Sequence, residues 1–348
     1  LTCTQCDKIR PDDPIDIPDE GFLAALIAEG VDTNGDGSIS VAEAEAVTRL
    51  DIPYDFEPGA PWIESLAGIE WFVNLEYLDC SLYELKILEF SNNRALKELY
   101  CSSNGLRRLD ISKNTALEIL DCSANDATLD CPDCGLKSLD VSKNTHLKQL
   151  NCYNCLLSTL DVSNNPSLEF LLCGNSGFTD IDLSTNGALT TLNIYNSDIS
   201  SLDLSQNPAL TIIDLVNNKD LTSLDVSTNQ ALEELACREG ILSSLDVSHN
   251  PALLSLNCSG NQLTSLDVSN NPALESLHFN FNQISSIDIS ENTSLIALIF
   301  ESNQISSIDI SQNTSLIYLT ATSNQLTRLN VSNNTALEYL FISKMPSL

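Results

Sequence analysis

The sequence predicts an α/β solenoid, a curved array of about 13 coils of 21 residues with one parallel sheet, preceded by a small helical cap. Three observations lead to this fold class. A hydrophobic pattern recurs every 21 residues, cysteine shares one position of that pattern with larger apolar residues, and an acidic, glycine-containing loop precedes the first repeat. Since 43% of the 348 residues are hydrophobic, the chain has enough apolar material for a large core.

One segment shows the repeat most clearly, and it reads Leu253-x-x-Leu256-x-Cys258-x-x-Asn261-x-Leu263-x-x-Leu266-Asp267-Val268-Ser269-x-Asn271. The aspartate of its Leu-Asp-Val-Ser element marks the period and recurs at Asp110, Asp140, Asp161, Asp182, Asp203, Asp225, Asp246, Asp267, Asp288 and Asp309, with Glu89 before the series and Asn330 after it. The steps are 21 residues, except 30 after Asp110 and 22 after Asp203. This regularity predicts stacked coils that bury one another's apolar faces.

The first half of the unit, L-x-x-L-x-C-x-x-N-x-L, is the pattern of a leucine-rich repeat with cysteine in the position of a strand leucine. Alternation along a short strand points the leucine and the cysteine inward, and the asparagine satisfies backbone groups at the turn. The inward position is held by Cys80, Cys101, Cys122, Cys152, Cys173, Cys237 and Cys258, and in other coils by Ile194, Leu215, Phe279, Phe300, Ala321 and Ile342. Because cysteine exchanges there with larger apolar residues, we expect reduced, buried and inert thiols.

The repeated L-x-x-L-x-C-x-x-N-x-L and L-D-V-S-x-N elements resemble the cysteine-ladder leucine-rich repeats of the internalin family, over residues 63–348. The segment Ser65-Leu-Ala-Gly-Ile-Glu-Trp-Phe-Val-Asn-Leu75 is similar to the way such arrays begin. The resemblance implies a bacterial cell-surface protein that functions in adhesion or recognition, and it leaves the ligand open.

Four cysteines admit a second interpretation. Cys131, Cys134, Cys152 and Cys155 form C-x2-C-x17-C-x2-C, a spacing typical of zinc ribbons. The repeat explains the same residues without a metal, because Cys131 lies 21 residues before Cys152 and Cys155 stands in the position of the turn asparagine. A nine-residue surplus duplicates Leu-Asp-Cys at 120–122 and 129–131, so either copy is able to form the strand. We favour the structural interpretation.

Residues 32–43 fill the template of an EF-hand calcium loop, with Gly37 at the sharp turn. The predicted ligands are oxygen atoms of Asp32, Asn34, Asp36, Ser38, Ser40 and Glu43. Apolar residues at helical spacing flank the loop, at Phe22, Leu23, Leu26 and Ile27 before it and at Val41, Ala44, Val47 and Leu50 after it. The loop predicts one structural Ca²⁺; the alternative is an Asp/Asn/Gly turn that binds no metal.

EF-hands usually pair, and we find no second loop of this kind, which argues against a calcium sensor and against a dockerin. We therefore expect residues 19–50 to form an EF-hand-like cap on the open end of the repeat core, stabilised by calcium. Residues 1–18 are interpreted as a tether, 51–62 as a linker and 63–348 as a repeat domain that is truncated at its C-terminus. Cys3 is a candidate for the lipid-bearing cysteine of a lipoprotein anchor.

Most residues that the strand alternation points outward are polar, but two groups are apolar. The first is the predicted ligand-binding site, formed by Tyr153, Phe170, Leu172, Tyr195, Ile212 and Val216. The second, which a further coil or domain would cover, consists of Ile299, Tyr318, Tyr339 and Phe341. Exposed aromatic and apolar side chains on the inner face of a solenoid are a natural contact surface.

The column of aspartates presents a problem of charge, because carboxylates stacked at strand spacing repel one another. We expect each aspartate to accept a hydrogen bond from the backbone N–H two residues on, as in an Asx-turn. The alternative is a column of bound cations.

The net charge of −32 argues against nucleic acid and anionic membranes as partners, and no stretch approaches the ~20 apolar residues of a membrane helix. The chain has no signature of a phosphate loop, a serine hydrolase or a zinc protease, and the repeat places no partner beside its histidines, His146, His249 and His278. We therefore predict a non-enzymatic, monomeric, secreted or cell-surface protein that recognises an extracellular protein or glycan. The alternative is a structural spacer that presents a C-terminal region and has no ligand of its own.

Overall fold

A computed structural model describes residues 10–52, 62–125 and 135–343. The chain divides into two compact units, Leu1–Leu160 and Asp161–Leu348. Cys3, Cys131 and Cys134 lie outside the described residues, and so do the lipid-anchor and zinc predictions that depend on them.

The first unit begins with two short helices, α1 (Glu20–Ala28) and α2 (Val41–Ala46), on either side of the 32–43 loop. A 3₁₀ turn at Ile69–Trp71 precedes the first repeat strand. The strands of this unit are parallel and pair in chain order: β1 (Arg49–Asp51), β2 (Tyr77–Asp79), β3 (Glu98–Tyr100), β4 (Ile119–Asp121) and β5 (Gln149–Asn151).

The second unit consists of repeats alone, and its strands also pair in parallel and in chain order. They are β6 (Phe170–Leu172), β7 (Thr191–Asn193), β8 (Ile212–Asp214), β9 (Glu234–Ala236), β10 (Ser255–Asn257), β11 (Ser276–His278), β12 (Ala297–Ile299), β13 (Tyr318–Thr320) and β14 (Tyr339–Phe341). Each strand from β2 to β14 belongs to one repeat, so the predicted leucine-rich-repeat solenoid with parallel strands is confirmed.

The core of each coil follows the leucine pattern. In the coil that contains β10, the side chains of Leu256, Cys258, Leu263 and Val268 are completely buried. The chain reverses direction directly after the strand at Gly260, whose φ of +68° is a left-handed conformation that glycine adopts without steric cost. Leu256 and Cys258 both face the core because alternate residues of an extended segment point to the same side.

Two columns of buried asparagines join successive coils. Asn261 holds the strand side: its Nδ2 donates to the carbonyls of Cys237 (2.8 Å) and Cys258 (3.0 Å), and its Oδ1 accepts from Leu242 N at 3.0 Å. Asn271 holds the opposite side, where its Nδ2 donates at 2.9 Å to the carbonyls of Val247 and Asn250 in the preceding coil. The bonds of Asn261 satisfy backbone groups at the end of the short strand, and those of Asn271 connect its coil to the preceding one.

The inward cysteine position is buried as predicted. Cys80, Cys101, Cys122, Cys152, Cys173, Cys237 and Cys258 are at most 3% exposed and carry free thiols, and among the apolar residues of the same column only Ile342 is half-buried. The 120–122 copy of Leu-Asp-Cys forms the repeat strand, since Leu120 and Asp121 lie in β4. Strand β4 pairs with β5 across the 30-residue step. The 129–131 copy lies outside the described residues.

The predicted helix after the loop is wrong beyond Ala46. Val47 is extended, with φ −79° and ψ 124°, and Leu50 is buried within strand β1 rather than on a helix face. Strand β1 pairs with β2, and Ile52 N continues the ladder by donating to the carbonyl of Asp79 at 3.0 Å. The β-branched Val47 and Thr48 favour extended backbone, so the sheet begins inside the segment that was assigned to cap and linker.

The described part of the predicted tether, residues 10–18, is also packed against the loop. Ile15 N donates to the carbonyl of Ile39 at 2.8 Å, Val41 N donates to that of Asp13 at 3.0 Å, and Pro14 forms an antiparallel bridge with Ser40. Ile15 and Ile39 are both buried. This segment therefore occupies the side of the loop on which a second EF-hand loop would pair.

Candidate functional site

The predicted calcium loop turns around the carboxylate of Asp32. Oδ1 of Asp32 accepts a hydrogen bond from Gly35 N at 2.7 Å, and Oδ2 accepts one from Gly37 N at 2.9 Å. Gly37 has a φ of +81°, which is why the turn takes glycine at this position. The loop is thus folded around the side chain predicted to be its first ligand.

Asn34, Asp36 and Ser38 form the next turn of the loop. Oδ1 of Asn34 accepts a hydrogen bond from Asp36 N at 2.8 Å. Oδ1 of Asp36 accepts two hydrogen bonds from Ser38, one from Oγ at 2.7 Å and one from N at 2.9 Å. These bonds from Ser38 lower the pKa of Asp36, so its carboxylate stays charged.

Glu43, the predicted bidentate ligand, is 8% exposed and points back into the loop. Its Oε1 accepts from N and Oγ1 of Thr33, both at 2.8 Å, and from Asn34 N at 3.2 Å. Its Oε2 accepts from N (2.9 Å) and Oγ (2.8 Å) of Ser40, which is the N-cap of α2. The Ser40 N–H and the hydroxyls of Thr33 and Ser40 lower the pKa of Glu43 to about 2.

The donor chemistry of this loop suits a hard cation, since carboxylate, amide and carbonyl oxygens are what Ca²⁺ takes in proteins. In the described residues the carboxylates are turned toward N–H and hydroxyl groups, and no three His, Cys, Asp or Glu side chains converge as a metal-binding group. A cation would therefore replace hydrogen bonds of Glu43 when it binds. Calcium binding by residues 32–43 stays a prediction.

The cap is fastened to the start of the repeats by Asp19. One carboxylate oxygen of Asp19 caps α1 by accepting from Phe22 N at 2.8 Å. The other accepts from the N–H groups of Glu64 and Ser65, both at 2.9 Å. Helix α1, which precedes the loop, is therefore bonded at its N-terminus to the segment that leads into the first repeat.

The predicted ligand-binding residues divide between the two units. Tyr153 is half-buried in the first unit. Four others are half-buried in three consecutive coils of the second unit, and we call them the apolar face: Phe170 and Leu172 on β6, Tyr195 two residues after β7, and Ile212 on β8. Phe170 and Ile212 stand in one register row with Thr191 between them, so their backbones are about 10 Å apart.

The expectation that Val216 is exposed to a ligand is wrong, because its side chain is only 3% exposed. Val216 stands in register between Tyr195 and Arg238, since its carbonyl accepts from Asn196 N (2.8 Å) and that of Arg238 accepts from Asn217 N (2.8 Å). A short side chain in a row between two long ones has little access to solvent. The alternation rule identifies the direction of a side chain but not the height of its neighbours.

Polar side chains beside the apolar face form hydrogen bonds within and between its coils. Nδ2 of Asn193 donates to Oδ2 of Asp214 at 3.1 Å, and Asn193 Oδ1 accepts from Tyr195 N at 3.2 Å. Asn196 donates from Nδ2 to Oδ1 of Asn175 in the preceding coil, and Asn217 donates in the same way to Asn196. These amides therefore bond the turn after Tyr195 to the corresponding turns of both neighbouring coils.

Solved structures identify the relatives of this chain. The functional domain of InlJ from Listeria monocytogenes, which is described as including a cysteine ladder, has 31% sequence identity and a TM-score of 0.81 over 97% of this chain and 78% of that one. The chain belongs to the internalin family. InlF, another internalin of Listeria monocytogenes, has 22% identity and a TM-score of 0.84, over 97% of this chain and 98% of that one.

More distant leucine-rich-repeat proteins share the fold of this internalin. In the Toll–Spatzle complex of Drosophila, one chain has a TM-score of 0.61 and 17% identity, over 81% of the present chain and 42% of that one. A scan against protein-family models and a search of curated protein sequences returned no match. None of the helices in the described residues has the length and apolar content to cross a bilayer.

The internalin ladder explains the cysteines of the zinc-ribbon pattern that the structure describes. Cys152 is in the inward column, and Cys155 stands in the column of the turn asparagine, where its Sγ lies 3.2 Å from the carbonyl oxygen of Cys122. Both side chains are completely buried. A thiol is thus accepted in place of the turn asparagine, as the repeat pattern indicates.

Each histidine of this internalin has a polar atom within hydrogen-bond distance. Oγ of Ser276 lies 3.2 Å from Nε2 of His278, Oγ of Ser248 lies 3.1 Å from Nδ1 of His249, and Nδ1 of His146 lies 3.3 Å from the carbonyl oxygen of Thr115. The Ser276–His278 pair arises because alternate residues of β11 point to the same side. Burial lowers the pKa of His278, so the imidazole is mainly neutral at pH 7.

One exposed residue of the second unit escaped the sequence prediction. Phe281 follows β11 by three positions, is 60% exposed and has a φ of +53°. The prediction considered only the outward strand positions, whereas Phe281 stands in the turn behind them. Its signal was present in the sequence, because the corresponding residues of the neighbouring coils are Gly260 and Ser302.

Proposed function

We propose that this internalin is a non-enzymatic, extracellular recognition protein that binds a protein ligand through the apolar face of its second unit. The observation that carries the proposal is the grouping of Phe170, Leu172, Tyr195 and Ile212 in the three consecutive coils of β6, β7 and β8. The corresponding positions in the coil of β10 carry Ser255, Asn257 and Ser259. Half-buried aromatic and branched apolar side chains on a rigid surface have the properties of binding hot spots.

Family membership and charge support an extracellular setting. Chains of the same fold form complexes with other proteins, such as Toll with Spatzle, which supports a protein partner for this chain. A net charge of −32 keeps the chain soluble and favours partners with basic surfaces. Secretion, a lipid anchor at Cys3 and the monomeric state belong to the same proposal.

A binding screen with a matched variant tests this proposal. The protein is applied to immobilised purified extracellular proteins and glycans, beside a variant with Phe170→Asp and Ile212→Asp. The control carries Asn164→Asp and Gln206→Asp, at exposed residues next to the buried asparagine column opposite the strands. Truncating a hot spot costs about 2 kcal/mol or more, so we expect the apolar-face variant to bind on the order of 100-fold more weakly and the control to bind as the parent does.

The alternatives give different outcomes in the same screen. Binding of a glycan in place of any protein would contradict the proposed ligand class. Equal binding by parent and variant would place the site elsewhere, and no binding by the parent would favour the spacer interpretation. Circular dichroism of all three proteins establishes that a loss of binding is not a loss of fold.

We further propose that residues 32–43 bind one Ca²⁺ that stabilises the cap. Asp32, Asn34, Asp36 and Glu43 would supply side-chain oxygens, Ser38 its carbonyl and Ser40 a water-mediated ligand. The loop supports this with its sharp turn at Gly37 and with the charged state of Asp36 and Glu43. A bound cation supplies charge that offsets the mutual repulsion of these carboxylates.

Thermal unfolding in calcium and in EDTA tests the cap proposal. We expect EDTA to lower the melting temperature of the parent and calcium to restore it, because a ligand of the folded state stabilises that state. A Glu43→Gln variant is expected to lose this response, whereas the exposed-site control Glu45→Gln keeps it. If the melting temperature of the parent is the same in calcium and in EDTA, the loop is a turn that binds no metal.

A further inference from the structure

Phe281 has a backbone conformation that its side chain disfavours. Each of the strands β6 to β13 is followed by one residue in the left-handed region, and that position is held by Asn175, Asn196, Asn217, Glu239, Gly260, Phe281, Ser302 and Ser323. Glycine and asparagine tolerate this conformation, whereas a bulky residue with positive φ is uncommon; in the first unit Leu82 has it, with φ +75°. Among these eight positions of the second unit, Phe281 alone is a bulky apolar residue.

The ring of Phe281 contributes little to the core in return. It is 60% exposed, more than any other large apolar side chain of the described residues. The aromatic that packs the core of this coil is Phe279, which is completely buried and stacks on Phe300 with ring centroids 5.6 Å apart. The backbone N–H of Phe281 donates to the carbonyl of Glu301 at 2.8 Å, a bond that any residue except proline would make.

A strained and exposed aromatic residue is a feature that folding does not explain. Such outliers cluster at binding and clamp sites, where the surrounding structure holds them in place. Large aromatic side chains also dominate the binding energy of protein interfaces. The backbone conformation of Phe281 and the exposure of its ring therefore both indicate a role in binding.

Phe281 lies within reach of a ligand that covers the apolar face. Both belong to the second unit, and β6 and β11 are five strand spacings apart, which is about 24 Å. A protein interface of standard size buries about 800 Å² on each partner, a patch roughly 30 Å across. One partner is therefore large enough to contact Phe170 at one end and Phe281 at the other.

The surface between these two points is mainly acidic. It carries the carboxylates of Asp214, Glu234 and Glu239, all half-buried or exposed, against the single guanidinium of Arg238. A partner that lies across them gains from basic side chains on its own surface. Charge thus restricts the kind of partner that fits.

We propose that Phe281 is an anchor that inserts its ring into an apolar pocket, bordered by basic side chains, on a folded protein partner. The inference rests on the proposed recognition function and extends it from the apolar face to the turn after β11. Phe281 would then have a role in binding, whereas the core positions of the repeat have a role in folding alone.

Phe281→Asn is the decisive variant, because asparagine is the residue that other coils use at this position. We expect its melting temperature to equal or exceed that of the parent, since the left-handed conformation suits asparagine better. We expect its affinity for the protein identified in the screen to fall at least 10-fold. The matched control Ser302→Asn makes the same replacement one coil later and is expected to bind as the parent does.

Salt and stability provide independent readouts. Binding of the parent is expected to weaken when NaCl is raised from about 50 to 500 mM, as screening of basic–acidic contacts requires. A lower melting temperature of Phe281→Asn would overturn the inference, because Phe281 would then serve the fold. Equal affinity of parent and Phe281→Asn would overturn it while the proposed function stands, and a parent that binds no protein would remove both.

Discussion

At the scale of single residues, the aspartates of the Leu-Asp-Val-Ser elements show how a repeated charge is tolerated. Oδ1 of Asp267 accepts the N–H of Ser269 at 3.0 Å, and the same bond is made at Asp203 with Ser205 at 2.9 Å. Hydrogen bonds from these serines lower the pKa values of both aspartates. The predicted Asx-turn is confirmed, and the hydrogen bonds offset the repulsion between carboxylates without requiring bound cations.

The ladder cysteines carry a prediction about chemical reactivity. Burial raises the pKa of Cys237 to about 12 and that of Cys258 well above its ordinary value, so neither thiol forms a thiolate near pH 8. We expect Ellman's reagent to leave all eight described cysteines unmodified in the folded protein and to reach them in guanidinium. Peptide mapping that finds Cys237 or Cys258 modified before unfolding would contradict a dry, reduced ladder.

At the scale of one coil, the second asparagine column is the element that the sequence pattern showed but did not explain. Asn271 is completely buried beside the turn opposite the strand, and its Nδ2 bonds carbonyls of the preceding coil. Each of these carbonyls also accepts a backbone N–H, from Asn250 and Leu253 respectively. The asparagine therefore adds a second bond to each, which joins one coil to the next.

Replacing Asn271 by alanine removes both of these bonds. At about 1 kcal/mol for each hydrogen bond, we expect the free energy of unfolding to fall by about 2 kcal/mol. Urea unfolding followed by circular dichroism measures the change. The adjacent, exposed Asn270 is the matched control, and Asn270→Ala should stay within about 0.5 kcal/mol of the parent. Equal midpoints for the two variants would show that the second column does not join the coils.

The repeat unit was predictable at this scale because its signal is local and repeated. The burial of Leu256 and Cys258 follows from alternation in a single strand, and every further coil tests the same rule. Strand β1 and the pairing of Ile15 with Ile39 were not predictable in this way. Each is a single long-range contact between short segments, and nothing in either segment specifies its partner.

The candidate site was predictable in direction and less so in exposure. Phe170, Leu172, Tyr195 and Ile212 occupy the outward positions that alternation assigns to them. Val216 failed because its exposure depends on the length of the residues in adjacent coils, which the strand period does not contain.

At the scale of the whole molecule, the two units differ in what they carry. The first unit contains the cap, the predicted calcium loop and Tyr153, and the second contains the apolar face and Phe281. Calcium is accordingly expected to act on stability through the cap, and the ligand to act on the second unit. We therefore expect removal of the metal to lower the stability of the cap, and binding of the ligand to protect the apolar face of the second unit.

Hydroxyl-radical footprinting of the complex with the protein found in the screen is the most direct test of ligand binding through the apolar face. Oxidation of Phe170, Leu172 and Tyr195 is measured by mass spectrometry in the free and the bound chain, with the exposed Tyr339 as internal reference. We expect oxidation of these three side chains to fall in the complex, while oxidation of Tyr339 stays unchanged. Equal oxidation of Phe170 and Tyr195 in both states would contradict recognition through the apolar face.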